Sequence, residues 1–328
     1  MFLRRSMLML LLAAGGALAL IHSTANAWNG LGHRAVAELV WRQMDEAERR
    51  AASDLLRQHP HYARILTADV PAGADTNKWA FLTAAVWPDR VRPAGPGHPP
   101  KPESVTKYNV YPHGVEMPFA RRADSTRALL KQYPAVEPTA RIALADCIAT
   151  LKNRKASPHD RAVSLAWTLH LLADLHQPLH CANLVTKERI RDLSAGGGFL
   201  VRNGAGNVVS LHAFWDQLPG VDQSYGRVIA LADELARDPD LQPAALPERR
   251  RHRTLASWVR ESHRIAVDFA YAANRVQFAH ADAVESGKTP AAAIPAIAPD
   301  YLEAAQGIAR RRLALAALRL ADVLPRKW

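Results

Sequence analysis

The sequence predicts an all-α protein, built as a single multi-helix domain of about 300 residues. Three observations indicate this fold class. Apolar residues recur at helical spacing through most of the chain after residue 27, these stretches begin and end at capping residues or prolines, and neither repeats nor a Gly/Ser-rich linker divides them. With 48% apolar and 22% charged residues, the composition is that of a globular protein and excludes intrinsic disorder.

The first half of the chain divides into helices separated by prolines. Asp45 can cap a helix that Pro60 terminates, and Pro88 is expected to end the helix that follows. Residues 90–106 are rich in proline and predict a loop. The helices predicted in this half are residues 34–44, 45–58, 76–87, 126–133 and 138–154.

The second half contains the longest predicted helices. Pro158 occupies a first helical position, and Pro178 ends the helix that it starts. The Gly-rich residues 187–209 predict a loop or a short hairpin. The Ala/Leu/Arg stretch 308–324 is typical of an amphipathic helix with one buried face. The elements predicted here are helices over residues 160–177, 223–237, 253–283 and 299–324, and a helical turn over residues 210–217.

The N-terminus carries the pattern of a secretory signal peptide over residues 1–27. Arg4 and Arg5 precede an apolar run at residues 7–21, and an A-x-A cleavage signal occupies residues 25–27. Cleavage there makes Trp28 the first residue of a domain over residues 28–328. No later apolar run reaches about 18 residues, so we expect a secreted or periplasmic protein without a membrane segment. No feature predicts a protein partner, and a monomer is expected.

Charge and cysteine content narrow the class of protein only a little. The formal net charge of +11 suits a polyanionic partner, but the arginines are spread along the chain and could serve solubility alone. Cys147 and Cys181 could form one disulfide in an oxidising compartment. No C-x-x-C pair is present, which excludes a zinc finger.

Two His/Asp pairs carry the strongest chemical signal. His170 and Asp174 are four residues apart on a predicted helix, so both side chains can reach one ion. His212 and Asp216 repeat this spacing, and His180 follows the Pro178 turn. One such pair can be a surface hydrogen bond, whereas two pairs and a further histidine favour a metal site. Imidazole and carboxylate ligands suit Zn²⁺.

Further candidates lie nearer the N-terminus. A free α-amino group on Trp28 would be a metal ligand five residues before His33. Asp89 follows Trp87-Pro88, and Arg92 could neutralise charge on a phosphoryl transition state. Alternatively, Asp89 and Arg92 form a solvated pair at a helix end.

The remaining histidines are assigned no ligand role. His176 lies two residues from Asp174, off the ligand face of the helix, and is interpreted as a supporting or structural residue. The histidines expected at the surface are His59, His61, His98, His159, His252 and His280.

Taken in order, these motifs resemble the zinc-dependent single-strand-specific nucleases of the mung bean nuclease type, which share a fold with zinc-dependent phospholipase C. The resemblance spans the chain from Trp28 to about Leu324. It rests on Trp28-x4-His33, Trp87-Pro-Asp89-x-x-Arg92, His170-x3-Asp174-x5-His180, Gly196-Gly-Gly and Leu211-His-Ala-Phe-Trp-Asp216. It implies an all-α endonuclease acting on single-stranded DNA and RNA, with catalytic Asp89 and Arg92, and leaves open a 3′-nucleotidase activity.

The resemblance also implies three zinc ions, with Asp174 bridging two of them. The implied ligands are the Trp28 α-amino nitrogen and carbonyl oxygen with His33 and Asp174; Asp89, His170 and Asp174; and His180, His212 and Asp216.

One segment departs from the family pattern. The family places a histidine before an aromatic residue after the Asp89 loop, and here Lys107 or Thr106 falls at the histidine position. The second zinc site is therefore expected to be weakened, unless His113 supplies the ligand. Tyr108 fits the aromatic position that would stack a base. Three functions remain open: a nuclease, a phospholipase C or other phosphoesterase, and a non-catalytic zinc-binding member.

Overall fold

The structure is a computed structural model that describes residues 28–95, 98–121, 130, 139–187 and 196–326. The predicted signal peptide and, apart from residue 130, the helix predicted at residues 126–133 lie outside these ranges. Within the described ranges, none of the helices combines the length and apolar character needed to span a membrane.

The domain is mostly helical, which confirms the predicted fold class. The helices of the first half are α1 (Gly30–Gln43), α2 (Glu46–Leu56), α3 (Thr76–Ala84), α4 (Trp87–Val91), α5 (Glu103–Thr106) and α6 (Ala140–Lys152). Those of the second half are α7 (Pro158–Asp174), α8 (Leu211–Asp216), α9 (Tyr225–Arg237), α10 (Glu248–Arg251), α11 (Leu255–Ile265), α12 (Ala281–Glu285) and α13 (Pro299–Val323).

Helix α7 forms the centre of the core. It begins where the Ser157 hydroxyl accepts a hydrogen bond from the Asp160 backbone N–H, with Pro158 in the first turn. It contacts α1, α2, α3, α4, α6 and α13, and every residue from 164 to 186 is buried. Polar side chains on this segment are therefore held away from water, where they need partners.

Two predicted helix boundaries are wrong. Pro88 does not end a helix; it lies in the first turn of α4, where its missing N–H leaves no hydrogen bond unmade. The helix predicted over residues 253–283 ends as α11, followed by a π-helical turn at Ala266–Ala270. The chain beyond that turn leaves the helix axis to form β5 (Ala279–His280) and α12.

Among the described residues, short strands form two small sheets, one of two strands and one of three. β3 (Phe199–Arg202) and β4 (Val208–Ser210) form an antiparallel hairpin with Leu200 opposite Ser210, so the Gly-rich segment contains the hairpin that its composition allowed. β5 pairs with β3 in the antiparallel sense. β1 (Pro118–Phe119) and β2 (Asn183–Leu184) pair in parallel. The hairpin leads directly into α8, which Ser210 caps.

Both cysteines are buried and free, so they form no disulfide with each other. Burial raises the pKa of the Cys147 and Cys181 thiols to about 12. They are therefore neutral at ordinary pH and pack as small apolar residues.

Candidate metal centre

Three groups of histidine and aspartate meet on one side of α7. In each group, one ligand atom from every residue lies within 4.8 Å of the others. Among the described residues the groups are His33, His170 and Asp174; Asp89, His113 and His170; and His180, His212 and Asp216. Eight metal ligands were predicted from the sequence, and the seven other than Trp28 all lie in these groups, together with His113.

The first group lies where α1 crosses α7. His33 Nε2 is 3.3 Å from Asp174 Oδ1, and the His33 ring stacks on His170 with centroids 4.1 Å apart. Trp28 is fully buried just before α1. Gly32 permits this arrangement, because a Cβ at that position would lie 2.7 Å from the Trp28 Cβ.

The second group contains a histidine that the sequence analysis did not place with certainty. His113 Nδ1 is 2.8 Å from His170 Nε2 and 3.8 Å from Asp89 Oδ1. Of the two alternatives drawn from the sequence, the structure favours the one in which His113, rather than a residue at position 106 or 107, completes this group. Lys107 is exposed and occupies the C-cap position of α5. The chain beyond it returns to the site at His113.

Backbone contacts hold the His113 segment in place. The Val115 N–H donates to the His180 carbonyl oxygen at 2.7 Å, and the Ala140 N–H donates to the Gly114 carbonyl oxygen at 3.0 Å. A Cβ on Gly114 would lie 3.1 Å from the His180 oxygen, tighter than most such contacts. The loop thus returns to the site by docking on the turn after α7, and no sequence periodicity marks it.

Asp174 joins the first two groups. Its Oδ1 faces His33, whereas its Oδ2 is 3.2 Å from His113 Nδ1 and 3.3 Å from His170 Nε2. The two carboxylate oxygens therefore face different sets of ligands, which is the arrangement that a carboxylate bridging two cations requires.

The third group lies at the turn after α7 and on α8. His180 Nε2 is 3.1 Å from His212 Nε2, which is 3.2 Å from Asp216 Oδ2. The other Asp216 oxygen accepts a hydrogen bond from the Gln177 side-chain amide at 2.7 Å. Gln177 was not predicted as a site residue, because a glutamine is not a zinc ligand of this type; its amide orients the Asp216 carboxylate.

Carbonyl oxygens orient two of the imidazoles. His170 Nδ1 lies 2.8 Å from the Ala85 oxygen, and His180 Nδ1 lies 2.9 Å from the His113 oxygen. A carbonyl can only accept, so each Nδ1 carries the proton and each Nε2 presents a lone pair to its group. This is the second contact expected of a metal-binding histidine.

Burial sets the protonation of the centre. It lowers the pKa of His33 to about 4 and lowers the pKa values of His170 and His180 well below their usual range. Burial also raises the pKa values of Asp174 and Asp216. Neutral imidazoles are the form that binds a metal, and a bound cation would stabilise the buried carboxylates as anions.

Orphaned atoms support a metal at the site. His33 Nε2, Asp89 Oδ1 and Asp174 Oδ1 are buried and make no hydrogen bond. Buried polar atoms are costly without a partner. A divalent cation bound by nitrogen and oxygen would satisfy all three, and the His/Asp donor set fits zinc.

Comparison with known proteins identifies the family. The sequence profile of the S1/P1 Nuclease family matches residues 28–327. The chain belongs to the S1/P1 nuclease family. No curated protein matches it. Family membership makes the chain a nuclease, a hydrolase that acts on the phosphodiester bonds of nucleic acids.

In this S1/P1 nuclease, Arg92 lies at the edge of the second group. Its Nε is 3.4 Å from Asp89 Oδ1 and donates to His113 Nε2 at 3.2 Å. The Asp89 and Arg92 side chains are only 15% and 18% exposed. They are therefore not the fully solvated pair that the sequence left open, and a cation beside the metal groups is placed to meet an anionic substrate.

A buried ionic network supports the turn that carries the ligands. His176 Nε2 lies 2.8 Å from Arg319 Nη1, and Arg312 Nε donates to the His176 carbonyl oxygen at 3.0 Å. Both guanidinium groups pair with Glu261. His176 therefore belongs to none of the three groups and supports the turn instead, as its position two residues from Asp174 and off the ligand face predicted.

Two histidines expected at the surface are buried instead. His59 and His61 are 3% and 5% exposed and pack against Trp87. His61 Nδ1 accepts a hydrogen bond from Trp87 Nε1 at 2.9 Å. These rings support α4, which carries Asp89.

The other four histidines expected at the surface divide into two pairs. His98 and His159 are exposed as expected, whereas His252 and His280 are partly buried.

Tyr108 is partly buried against the same aromatic cluster. Its ring meets His61 edge to face with centroids 5.1 Å apart and lies 5.8 Å from the Trp87 ring. The Lys107 ammonium lies 5.2 Å from the centre of the Tyr108 ring. The base-stacking role of Tyr108 stays a prediction.

Proposed function

We propose that this chain is an exported, zinc-dependent endonuclease that hydrolyses phosphodiester bonds of single-stranded DNA and RNA. The observation that carries the proposal is the clustering of three His/Asp groups, the first two of which face different oxygens of the Asp174 carboxylate. Membership of a nuclease family supplies the reaction class.

Three zinc ions would be held by residues of five chain segments. Removal of residues 1–27 would give Trp28 a free α-amino group beside His33. The proposed ligand sets are Trp28, His33 and Asp174; Asp89, His113, His170 and Asp174; and His180, His212 and Asp216.

The chemistry then divides between the metals and the protein. Zinc bound there supplies a water of lowered pKa and positive charge for the phosphoryl oxygens. Asp89 orients the attacking water through its carboxylate, besides holding metal. Arg92, 3.4 Å from Asp89, neutralises charge that develops on the phosphoryl group.

Preference for single strands would come from base stacking on Tyr108. An unpaired base offers a free face, which a base inside a duplex does not. If Tyr108→Ala leaves the affinity for single-stranded DNA unchanged, this role is wrong.

The test is hydrolysis by the purified chain begun at Trp28, compared with the same chain retaining Ala27. We expect cleavage of single-stranded DNA and RNA, little cleavage of duplex DNA, loss of cleavage with a chelator and recovery with zinc. The Ala27 form should cleave more slowly, because its Trp28 nitrogen is an amide. Zinc-restored hydrolysis of phosphatidylcholine without cleavage of nucleic acid would instead establish the phospholipase alternative.

The non-catalytic alternative rested on a missing histidine in the second group. His113, 2.8 Å from His170, removes that ground. Export to the periplasm or the medium, and a monomeric state, remain parts of the proposal. Cell fractionation and sedimentation of the processed chain test them.

A further inference from the structure

A basic turn borders an open cavity that is separate from the three metal groups. The cavity has a volume of about 580 Å³, and none of its lining residues belongs to a metal group. Its walls come from Pro243 and Ala244, from α10 and the two residues after it, from α11 and from the end of α13. The polar and aromatic lining residues that matter here are Arg249, Arg250, Arg253, Trp258, Arg319 and Asp322.

The sequence around α10 is unusually basic. Residues 249–253 read Arg-Arg-Arg-His-Arg, a local run within arginines that are otherwise spread along the chain. Like charges held together this closely repel one another. Such a run is typical of a surface that binds a polyanion.

Two of the lining arginines already have counter-charges. Arg249 forms a bidentate pair with Asp322, with distances of 3.0 and 2.7 Å. Arg319 pairs with Glu261 and is 1% exposed. These two arginines are therefore charge-compensated, and the charge of the cavity depends on Arg250 and Arg253, which form its rim.

The rim carries the uncompensated charge. Arg250 and Arg253 are exposed, and within the described ranges of the chain neither forms an ion pair. Among the described residues, the cavity lining therefore presents two guanidinium groups that pair with no carboxylate, and its one carboxylate, Asp322, is paired with Arg249. Arg251 extends this positive surface beyond the cavity.

The backbone beneath the rim is fixed. The Trp258 indole N–H donates to the His252 oxygen at 2.7 Å, and Arg319 Nη2 donates to the Glu248 oxygen at 3.1 Å. Arg253 Nε donates to the Arg250 oxygen at 3.2 Å. The two rim side chains thus start from a rigid turn, which lowers the entropy lost when they bind a ligand.

The chemistry of the rim favours phosphodiester groups. Guanidinium forks match phosphate oxygens, and an open cavity flanked by further arginine suits a chain of phosphates better than one small anion. A membrane surface is the weaker fit, because peripheral membrane binding combines basic with apolar side chains. The exposed large apolar residues of the described chain, Val110 and Val221, do not line this cavity.

We infer that Arg250 and Arg253 form an auxiliary site for the sugar–phosphate backbone of a single-stranded nucleic acid, away from the metal centre. The inference rests on the proposed function, since it assigns the site to the same substrate. It increases the affinity for long strands and leaves the hydrolytic step unchanged.

The test compares Arg250→Ser/Arg253→Ser with a control, Arg154→Ser/Lys155→Ser. The control removes two exposed charges from the turn between α6 and α7, where neither forms an ion pair with another described residue. Binding of a hydrolysis-resistant phosphorothioate poly(dT) strand to the zinc-loaded chain is measured as a function of salt concentration. Thermal unfolding confirms that both variants are folded.

We expect the rim variant to reduce the slope of log K against log salt by about 1.4, because each lost contact to single-stranded DNA reduces it by about 0.7. The control should keep the wild-type slope. Cleavage of a dinucleotide should be unaffected in both variants, whereas KM for a long strand should rise in the rim variant alone.

An unchanged slope in the rim variant, or an equal decrease in the control, overturns the inference. So does binding of phosphatidylglycerol vesicles that is lost in the rim variant while strand binding is retained. The slope is independent of turnover. A chain that binds strands through the rim but cleaves none would contradict the proposed function and leave the auxiliary site standing.

Discussion

Glu261 is the residue whose replacement tests the buried network most sharply. It lies on α11 and pairs with Arg312 and Arg319, both 1% exposed. Burial opposes ionisation of Glu261, but the two guanidinium groups outweigh it and lower its pKa. Glu261→Gln keeps the size of the side chain and removes the charge that compensates both arginines.

The magnitude follows from the burial of the arginines. Removing one partner of a buried ion pair costs about 3–5 kcal/mol, because the remaining charge stays buried without compensation. Arg312 keeps its bonds to the His176 oxygen and to Ser262, and Arg319 keeps its bond to Glu248, so complete loss of packing is not expected. We therefore expect a loss of about 3 kcal/mol and a decrease in Tm of roughly 5–15 °C.

The assay is thermal and urea unfolding at neutral pH, with Glu303→Gln as the matched control. Glu303 is exposed on α13, and no ion pair involves it within the described residues. The second readout is zinc retention against a chelator. Arg312 and Arg319 hold His176, which lies in the turn between Asp174 and His180. Loss of such supporting contacts lowers metal affinity about 10–100-fold.

Two results would contradict this role of Glu261. One is a Glu261→Gln protein as stable as Glu303→Gln, which would mean that the arginines do not depend on the buried carboxylate. The other is a large loss of stability with unchanged zinc retention, which would mean that the network does not support the ligand turn.

Three further predictions concern single residues. His113→Asn should remove one zinc per chain and reduce cleavage at least about 100-fold, while Lys107→Ser changes neither; the reverse pattern would contradict the assignment of the second group. Burial lowers the pKa of His59 from 6.5 to about 3, so the unfolded chain takes up a proton that the folded chain excludes. Its contribution to stability is therefore complete above pH 6.5 and is lost as the pH falls towards 3. His59→Asn should reduce the stability lost between about pH 7 and pH 5 by about 2 kcal/mol in urea titrations, and an unchanged pH profile would show that His59 is not the group responsible. Gly32→Ala should destabilise by about 1–3 kcal/mol, because its Cβ would meet Trp28 Cβ at 2.7 Å; a variant of wild-type stability would show that Trp28 packs elsewhere.

The sequence predicted the parts of the fold and site that follow a local rule. Helix α7 was predicted from its proline and its apolar spacing, and His170 and Asp174 from the four-residue interval on that helix. Local rules failed where the same residue type is compatible with two different structures. Pro88 can end a helix or begin one, and the contacts of α4 with α3 and α7 decide between them.

The remainder of the site depends on tertiary contacts. His113 reaches the metal groups because its neighbours bond to the turn at His180, which no pattern near residue 113 reveals. His59 and His61 are buried because they pack around Trp87, although their sequence surroundings are polar. The net charge of the whole chain likewise does not reveal the local run of basic residues at 249–253.

The most direct test of the central claim is a zinc titration of the metal-depleted chain begun at Trp28, with bound zinc and cleavage of single-stranded DNA measured in the same samples. We expect three zinc ions bound per chain and cleavage that appears only as the groups joined by Asp174 are filled. Cleavage by the metal-free chain, or a fully loaded and folded chain that cleaves no nucleic acid, would contradict it.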